Sequence, residues 1–270
     1  MASVARFDTW QAADGTNVAR FSGGALEVWD GAAWVPAGSG APVVSATTGS
    51  PTITTDGSAT IYQFTGDGSI TVDTGGLCEY LVVGGGGYTG NGYGTTYETG
   101  GGAGGLLQSS NFYLPAGTHT IEVGAGGVLG RNSGIGGSSR ILDIMGIHGG
   151  QGFPTSGQFE NNGNQGGSGS GACGTNAVSS PASYGKALGI DGQGYAGYGK
   201  SGAGDAAGGG AGGPATDQNS PGPGVASSIT GSSVTYARGG STVTANTANS
   251  GNGGGSASNG NSGVVILRIG

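Results

Sequence analysis

The sequence predicts an all-β protein with essentially no α-helix, a small β-sandwich framing glycine-rich, polyproline II-like segments. Three observations carry this expectation. Glycine supplies 68 of 270 residues, about a quarter where about 7% is usual. Tracts such as Gly208-Gly209-Gly210-Ala211-Gly212-Gly213 cannot sustain a helix, because each glycine costs about 1 kcal/mol there relative to alanine. Apolar, β-branched bursts alternate with the tracts: Tyr80-Leu81-Val82-Val83 runs straight into Gly84-Gly85-Gly86-Gly87, and Gly263 opens Val264-Val265-Ile266-Leu267-Arg268-Ile269. Glycine does not recur at every third residue, so a collagen triple helix is excluded. Glycine- and serine-rich chains ordinarily stay disordered, since glycine loses the most entropy on folding. An ordered tract must pair its peptide groups with other backbone, which a stack of polyproline II chains provides.

Residues 1–40 hold all three tryptophans, Trp10, Trp29 and Trp34. Leu26–Trp29 and Ala32–Val35 read as a β-hairpin across Asp30-Gly31. Such a piece is too small to hold a core alone, so it is expected to be an attachment or oligomerisation segment with the tryptophans as its contacts. The alternative, that they cover the neighbouring domain, carries equal weight. Residues 41–58, rich in proline, serine, threonine and glycine, read as a linker. Residues 59–270 form the glycine-rich β domain. Thr60–Thr65 and Ser69–Asp73 flank the turn Gly66-Asp67-Gly68, and Cys78–Val83 follows. Leu106–Ser109, Phe112–Leu114 and Thr118–Val123 continue the pattern, with a turn at Pro115-Ala116-Gly117, and Ser138–Ile144 adds a further strand. The last strand, 264–269, is expected to pair with the sheet containing 79–84.

Formal charge is 8 − 15 = −7, which argues against nucleic acid and anionic membrane surfaces as partners. No apolar run reaches the length of a membrane span, so no membrane insertion is expected. Met1–Phe7 lacks the apolar core of a signal peptide, so synthesis in a cytoplasm and release by another route, such as lysis, is expected. Cys78 and Cys173 lie 95 positions apart, with no metal-type spacing. Two free thiols or one long-range disulfide both fit.

No constellation for catalysis emerges. Gly194-Tyr195-Ala196-Gly197-Tyr198-Gly199-Lys200-Ser201 fits the phosphate-loop pattern, but that mechanism needs a buried strand before it and a helix after it. Here the motif follows only the short Leu188-Gly189-Ile190-Asp191 and precedes more glycine, so the match is read as coincidence. His119 and His148 are not at ligand spacing. Asp67 and Asp73 read as turn and strand-end residues rather than a glycosidase pair. Neither an enzyme, a cofactor nor a metal is expected. The aromatic residues inside the glycine tracts are more informative: Tyr88, Tyr93, Tyr97, Phe153, Phe159, Tyr184, Tyr195 and Tyr198. Rings set among serine, glycine and asparagine suit an adaptable binding surface, and they equally suit caps on small cores between glycine segments.

The ordered set Tyr80-Leu81-Val82-Val83-Gly84-Gly85-Gly86-Gly87, Gly101-Gly102-Ala103-Gly104-Gly105, Ile121-Glu122-Val123-Gly124-Ala125-Gly126-Gly127 and Ser262-Gly263-Val264-Val265-Ile266-Leu267-Arg268 resembles the glycine-rich domain of bacteriophage virion proteins, frequent at tail-fibre ends and in phages of cyanobacteria. The head, Phe7-Asp8-Thr9-Trp10-Gln11 with Val28–Pro36, is similar to short repeats of phage fibre proteins. In adhesin tips of T-even-like phages such tracts form a polyproline II sandwich with host-binding loops; the segments here are shorter and more interrupted. The resemblance implies a tail-fibre or tail-tip adhesin on the virion, made in the host cytoplasm. It implies a homotrimer that attaches to other virion proteins through residues 1–40. The binding partner would be a host cell-surface glycan or outer-membrane protein, with Tyr88, Tyr93, Tyr97, Phe153, Tyr184, Tyr195 and Tyr198 as receptor-binding candidates. The alternative is a capsid decoration or head-fibre protein without a specific receptor.

Overall fold

Alternating β-branched residues set the strands, and these are carried by a computed structural model of the chain. It describes residues 9–11, 17–22, 25–29, 34–36, 40–91, 98–128, 134–152, 163–174, 187–201, 205–241, 248–255 and 258–270. The first strands are β1 (Thr9–Gln11), β2 (Asn17–Ser22), β3 (Ala25–Trp29) and β4 (Trp34–Pro36), followed by β5 (Val43–Thr48), β6 (Thr52–Asp56), β7 (Ala59–Phe64), β8 (Gly68–Thr74) and β9 (Gly76–Val83). Next come β10 (Gly90–Asn91), β11 (Glu98–Thr99), β12 (Leu106–Leu114), β13 (Gly117–Glu122), β14 (Ser139–Ile141) and β15 (Ile144–Gly146). The last five are β16 (Ala172–Gly174), β17 (Gly199–Ser201), β18 (Val225–Ser227), β19 (Val234–Tyr236) and β20 (Val264–Ile269). No helix occurs among the described residues, as the glycine content predicts.

Strands β1 to β4 form an antiparallel sheet in chain order. The expected hairpin is β3–β4, with Trp29 opposite Trp34, while its turn lies outside the described residues. Two five-stranded sheets follow, in the orders β12-β9-β20-β7-β6 and β15-β14-β13-β8-β5. The chain's last strand thus sits between β9 and β7, with Val264 paired to Val83 and Val265 to Phe64. Residues 41–58 are not a linker. They contain β5 and β6, paired with β8 and β7 respectively. Each is an edge strand, which needs a backbone partner on one side only and tolerates polar, exposed residues such as Thr52, Thr54 and Thr55. The single expected strand at 138–144 is instead the hairpin β14–β15, turned at Leu142 (φ 51).

The period of two divides the burial. Phe64, Ile70, Val72, Cys78, Val82, Leu114, Ile121, Ile141, Val265, Leu267 and Ile269 fill the space between the sheets. The intervening residues Ile61, Leu81, Val83, Val264 and Ile266 point the other way, onto Ala103, Leu106, Ile229, Tyr236 and Ala237. The β9–β20–β7 layer is therefore buried on both faces, which explains its unbroken apolar runs. Cys78 is a free thiol within the first of these cores.

Above the sandwich the glycine segments pack as an array. The N–H groups of Gly84 and Gly87 donate to Gly105 and Gly102, those of Gly85 and Tyr88 to Gly137 and Gly134, and those of Gly86 and Thr89 to Asn261 and Ser258. Every third residue returns to the same neighbour, the repeat of a polyproline II helix. The carbonyls of this segment accept from three further stretches: Gly85 and Tyr88 from Gly149 and Gly152, Gly86 from Gly127, and Gly87 from Gly254. Three neighbours reached by donation and three by acceptance surround 84–89. Segment 100–105 repeats the scheme. It donates to 206–209, 251–254 and 147–150 and accepts from 168–171, 240 and 84–87. A Cβ built on Gly104 would lie 1.9 Å from the Gly84 carbonyl oxygen, and one on Gly100 1.9 Å from that of Gly240. Neither glycine has a positive φ, so it is space, not conformational freedom, that demands glycine there.

Candidate functional site

The connectivity gives the array two unlike ends. β9 feeds 84–89 away from the sandwich, and 100–105 returns into β12. At the far end Thr89 N–H donates to Ser258, Tyr88 N–H to Gly134 and Gly152 N–H to Tyr88, while Thr99 bridges to Ala206 and Gly171 N–H donates to Gly100. These residues mark one level. Residues 92–97, 129–133, 153–162, 175–186, 202–204, 242–247 and 256–257 lie outside the described residues.

Of the residues proposed from sequence, Tyr93, Tyr97, Phe153, Phe159 and Tyr184 fall in those stretches, outside the described residues. Tyr88 is only 4% exposed. Its place on a segment enclosed by neighbours on every side buries the ring, so it is not a surface contact, and the reading of such rings as core holds at this position. Tyr195 is half exposed and Tyr198 partly buried. Their N–H groups donate to Gly210 and Ala207, which sets both, three residues apart, on one side of the segment. Trp29 is exposed, and the side chains of Trp10 and Trp34 lie outside the described residues.

A second feature sits at the sandwich end, where the chain turns through 187–196. Asp191-Gly192, with Gly192 at φ 76, makes a tight turn closed by Gln193 N–H and Gly194 N–H on the Ile190 carbonyl. Gln193 ties this turn to both sheets: its Oε1 accepts from Ile147 N–H at 2.9 Å, its Nε2 donates to the Met145 carbonyl at 3.2 Å, and its own carbonyl accepts from Leu106 N–H at 3.0 Å. Ile190 N–H donates to Gly167, and Gly169 N–H to Tyr195. The backbone is therefore fixed while Leu188, Ile190 and Tyr195 stand out into solvent at 56%, 41% and 50% exposure. An open groove of about 330 Å³ runs between Leu188 and Tyr195, with Asp191, Gln193 and Ala211 along it. Sequence reasoning found Tyr195 but missed Leu188, Asp191 and Gln193. The only signal was an apolar pair around glycine beside a turn, which reads equally as a short strand.

The remaining polar groups serve as ties. Lys200 of the phosphate-loop match donates from Nζ to Gln218 Oε1 at 2.6 Å, and β17, which holds it, pairs in parallel with β16. His119 bonds the Pro115 carbonyl through Nε2, and His148 Nδ1 faces the Gly149 carbonyl. Among the described residues no cluster of histidine, cysteine and carboxylate side chains could hold a metal. Burial, with the Glu79 charge adding to it, pushes the Cys78 thiol up to about 12. A second groove of about 390 Å³, lined by Glu79, Gln108, Ser110, Ser227 and Ile229 among others, lies on the outer side of β9 and β12.

Sandwich strands that feed a lattice of three-residue-per-turn glycine segments define a glycine-rich domain as the class of this protein. The chain belongs to the glycine-rich domain family, which matches residues 62–270. The match starts within β7 and so leaves out β1 to β6. Among curated proteins none matches the chain.

Proposed function

We propose that the chain is a bacteriophage virion protein, a tail-fibre or tail-tip adhesin in which residues 1–40 attach to the particle and the glycine array presents loops to the host surface. The observation that carries this reading is the array itself, in which segments 84–89 and 100–105 are each bonded to neighbouring backbone on all sides and so form a fixed base. The sequence sets Tyr93, Tyr97, Phe153, Phe159 and Tyr184 among serine, glycine and asparagine in stretches that lie outside the described residues. A rigid base with rings among small polar residues is the composition of an adaptable recognition surface. The likeness to phage fibre domains supports the same reading.

Labelling an antibody against the purified chain and imaging the particle tests it. Density at the tail in a few copies is expected. Hundreds of copies on the capsid lattice would turn the reading into that of a decoration protein, and absence from any particle would end it. Purified protein should also bind intact host cells and block adsorption.

A further inference from the structure

We infer that the groove between Leu188 and Tyr195 is a binding site for a neutral sugar unit of a saccharide. This deepens the adhesin reading and rests on it. Three features of the groove decide the ligand class. Tyr195 offers a ring and Leu188 an aliphatic surface, both about half exposed, and together they suit the C–H face of a pyranose. Asp191, exposed on the turn, places a carboxylate on the same groove, where it accepts hydrogen bonds from sugar hydroxyls. Among the described residues no Lys or Arg lines the groove, and the Asp191 carboxylate disfavours anionic sugars. At about 330 Å³ the groove lies at the small end of ligand sites, which span roughly 300–1,000 Å³. That is room for a sugar unit, not for a protein segment of any length.

Rigidity completes the case. A loop that must order itself on binding loses affinity to that ordering. Here Gln193 pins the turn to Met145, Ile147 and Leu106, and Tyr195 is held at both its N–H and its carbonyl. The backbone that carries the ring is therefore fixed before any ligand arrives. The site is weak singly and gains from several copies on one particle.

The test is saturation-transfer NMR and calorimetry on the full chain, with the methyl glycosides of glucose, galactose and N-acetylglucosamine as probes and galacturonate as the anionic control. At least one neutral glycoside should bind and galacturonate should not. Tyr195→Ala should weaken binding about tenfold and Tyr195→Phe less than twofold. Asp191→Asn should weaken it about tenfold or more while admitting galacturonate. Both side chains are exposed, so the variants should keep the wild-type melting temperature, which is measured alongside. Wild-type protein that binds cells but none of the probes overturns the groove and leaves the adhesin reading standing. Failure to bind either cells or probes overturns both. Glycoside binding unaltered by Tyr195→Ala and Asp191→Asn places the sugar elsewhere, and a change in molecular mass with Tyr195→Ala marks the groove as a protein interface instead.

Discussion

Glycine at position 104 and glycine at position 66 are the same residue under opposite demands. A Cβ at 104 would meet the Gly84 carbonyl at 1.9 Å, whereas one at 66 would meet nothing within 4 Å. Gly104→Ala must therefore push two array segments apart and break the bonds of both, a loss above the ~1–3 kcal/mol of ordinary overpacking. Gly66→Ala, at an unstrained position, should be neutral or gain about 0.4–1 kcal/mol by restricting the unfolded chain. Urea denaturation of the two variants checks this; equal effects would show that the lattice is looser than its hydrogen bonds imply. Cys78 gives a pH signature. Its folded thiol ionises near 12 against an ordinary value of 9.0. Below pH 9 both states hold the proton; between 9 and 12 the unfolded chain releases it first, so stability falls across that window. Cys78→Ala should flatten part of this decline. Tyr62, Tyr80 and Tyr236, also raised by burial, should keep the rest.

At the scale of elements the last strand decides the fold. β20 lies between β9 and β7 and contributes Val265, Leu267 and Ile269 to one core and Val264 and Ile266 to the other. Its Arg268 reaches Asp56 at 2.8 Å, Glu79 at 3.7 Å and the Ile229 carbonyl at 3.3 Å, joining β6, β9 and the turn before β19. Removing residues 264–270 should leave a chain that proteases degrade and that shows no cooperative melting. Arg268→Met should cost only about 1 kcal/mol, because Asp56 and Glu79 are close to half exposed and water already weakens such pairs. The two sheets also differ at their margins. The β12 and β15 side is held by Gln193, whereas β5 and β6 are edges of largely exposed residues.

For the molecule as a whole, backbone pairing across the array extends the order set by the two apolar cores into the glycine segments. Amide exchange checks this directly. The N–H groups of 84–87 and 100–105 should exchange as slowly as those of β9 and β20, although they belong to no strand, because opening any one segment exposes partners in several others. Rapid exchange there would contradict the enclosed array. Glycine costs the most entropy to order, so association between copies should assist. The proposed homotrimer, joined through residues 1–60, predicts a mass three times 25.6 kDa by light scattering; a stable monomer overturns it.

The sequence by itself determined the class. Glycine tracts exclude helices, the apolar runs at 80–83 and 264–269 announce strands that pair with each other, and the alternation at 25–29 announces the strand that pairs with 34–36. These are local properties, set by the conformations each residue permits. Only the tertiary structure decided which segment lies beside which. A period of three in hydrogen bonding leaves no side-chain pattern when the side chain is a hydrogen atom, so six-fold enclosure of 84–89 was invisible in a run of glycines, and with it the burial of Tyr88. Polar edge strands at 43–48 and 52–56 read as linker because their pairing partner, not their composition, makes them strands. The groove at Leu188 and Tyr195 depends on Gln193 reaching residues 46 and 48 positions away, a distance over which local sequence carries no record of contact.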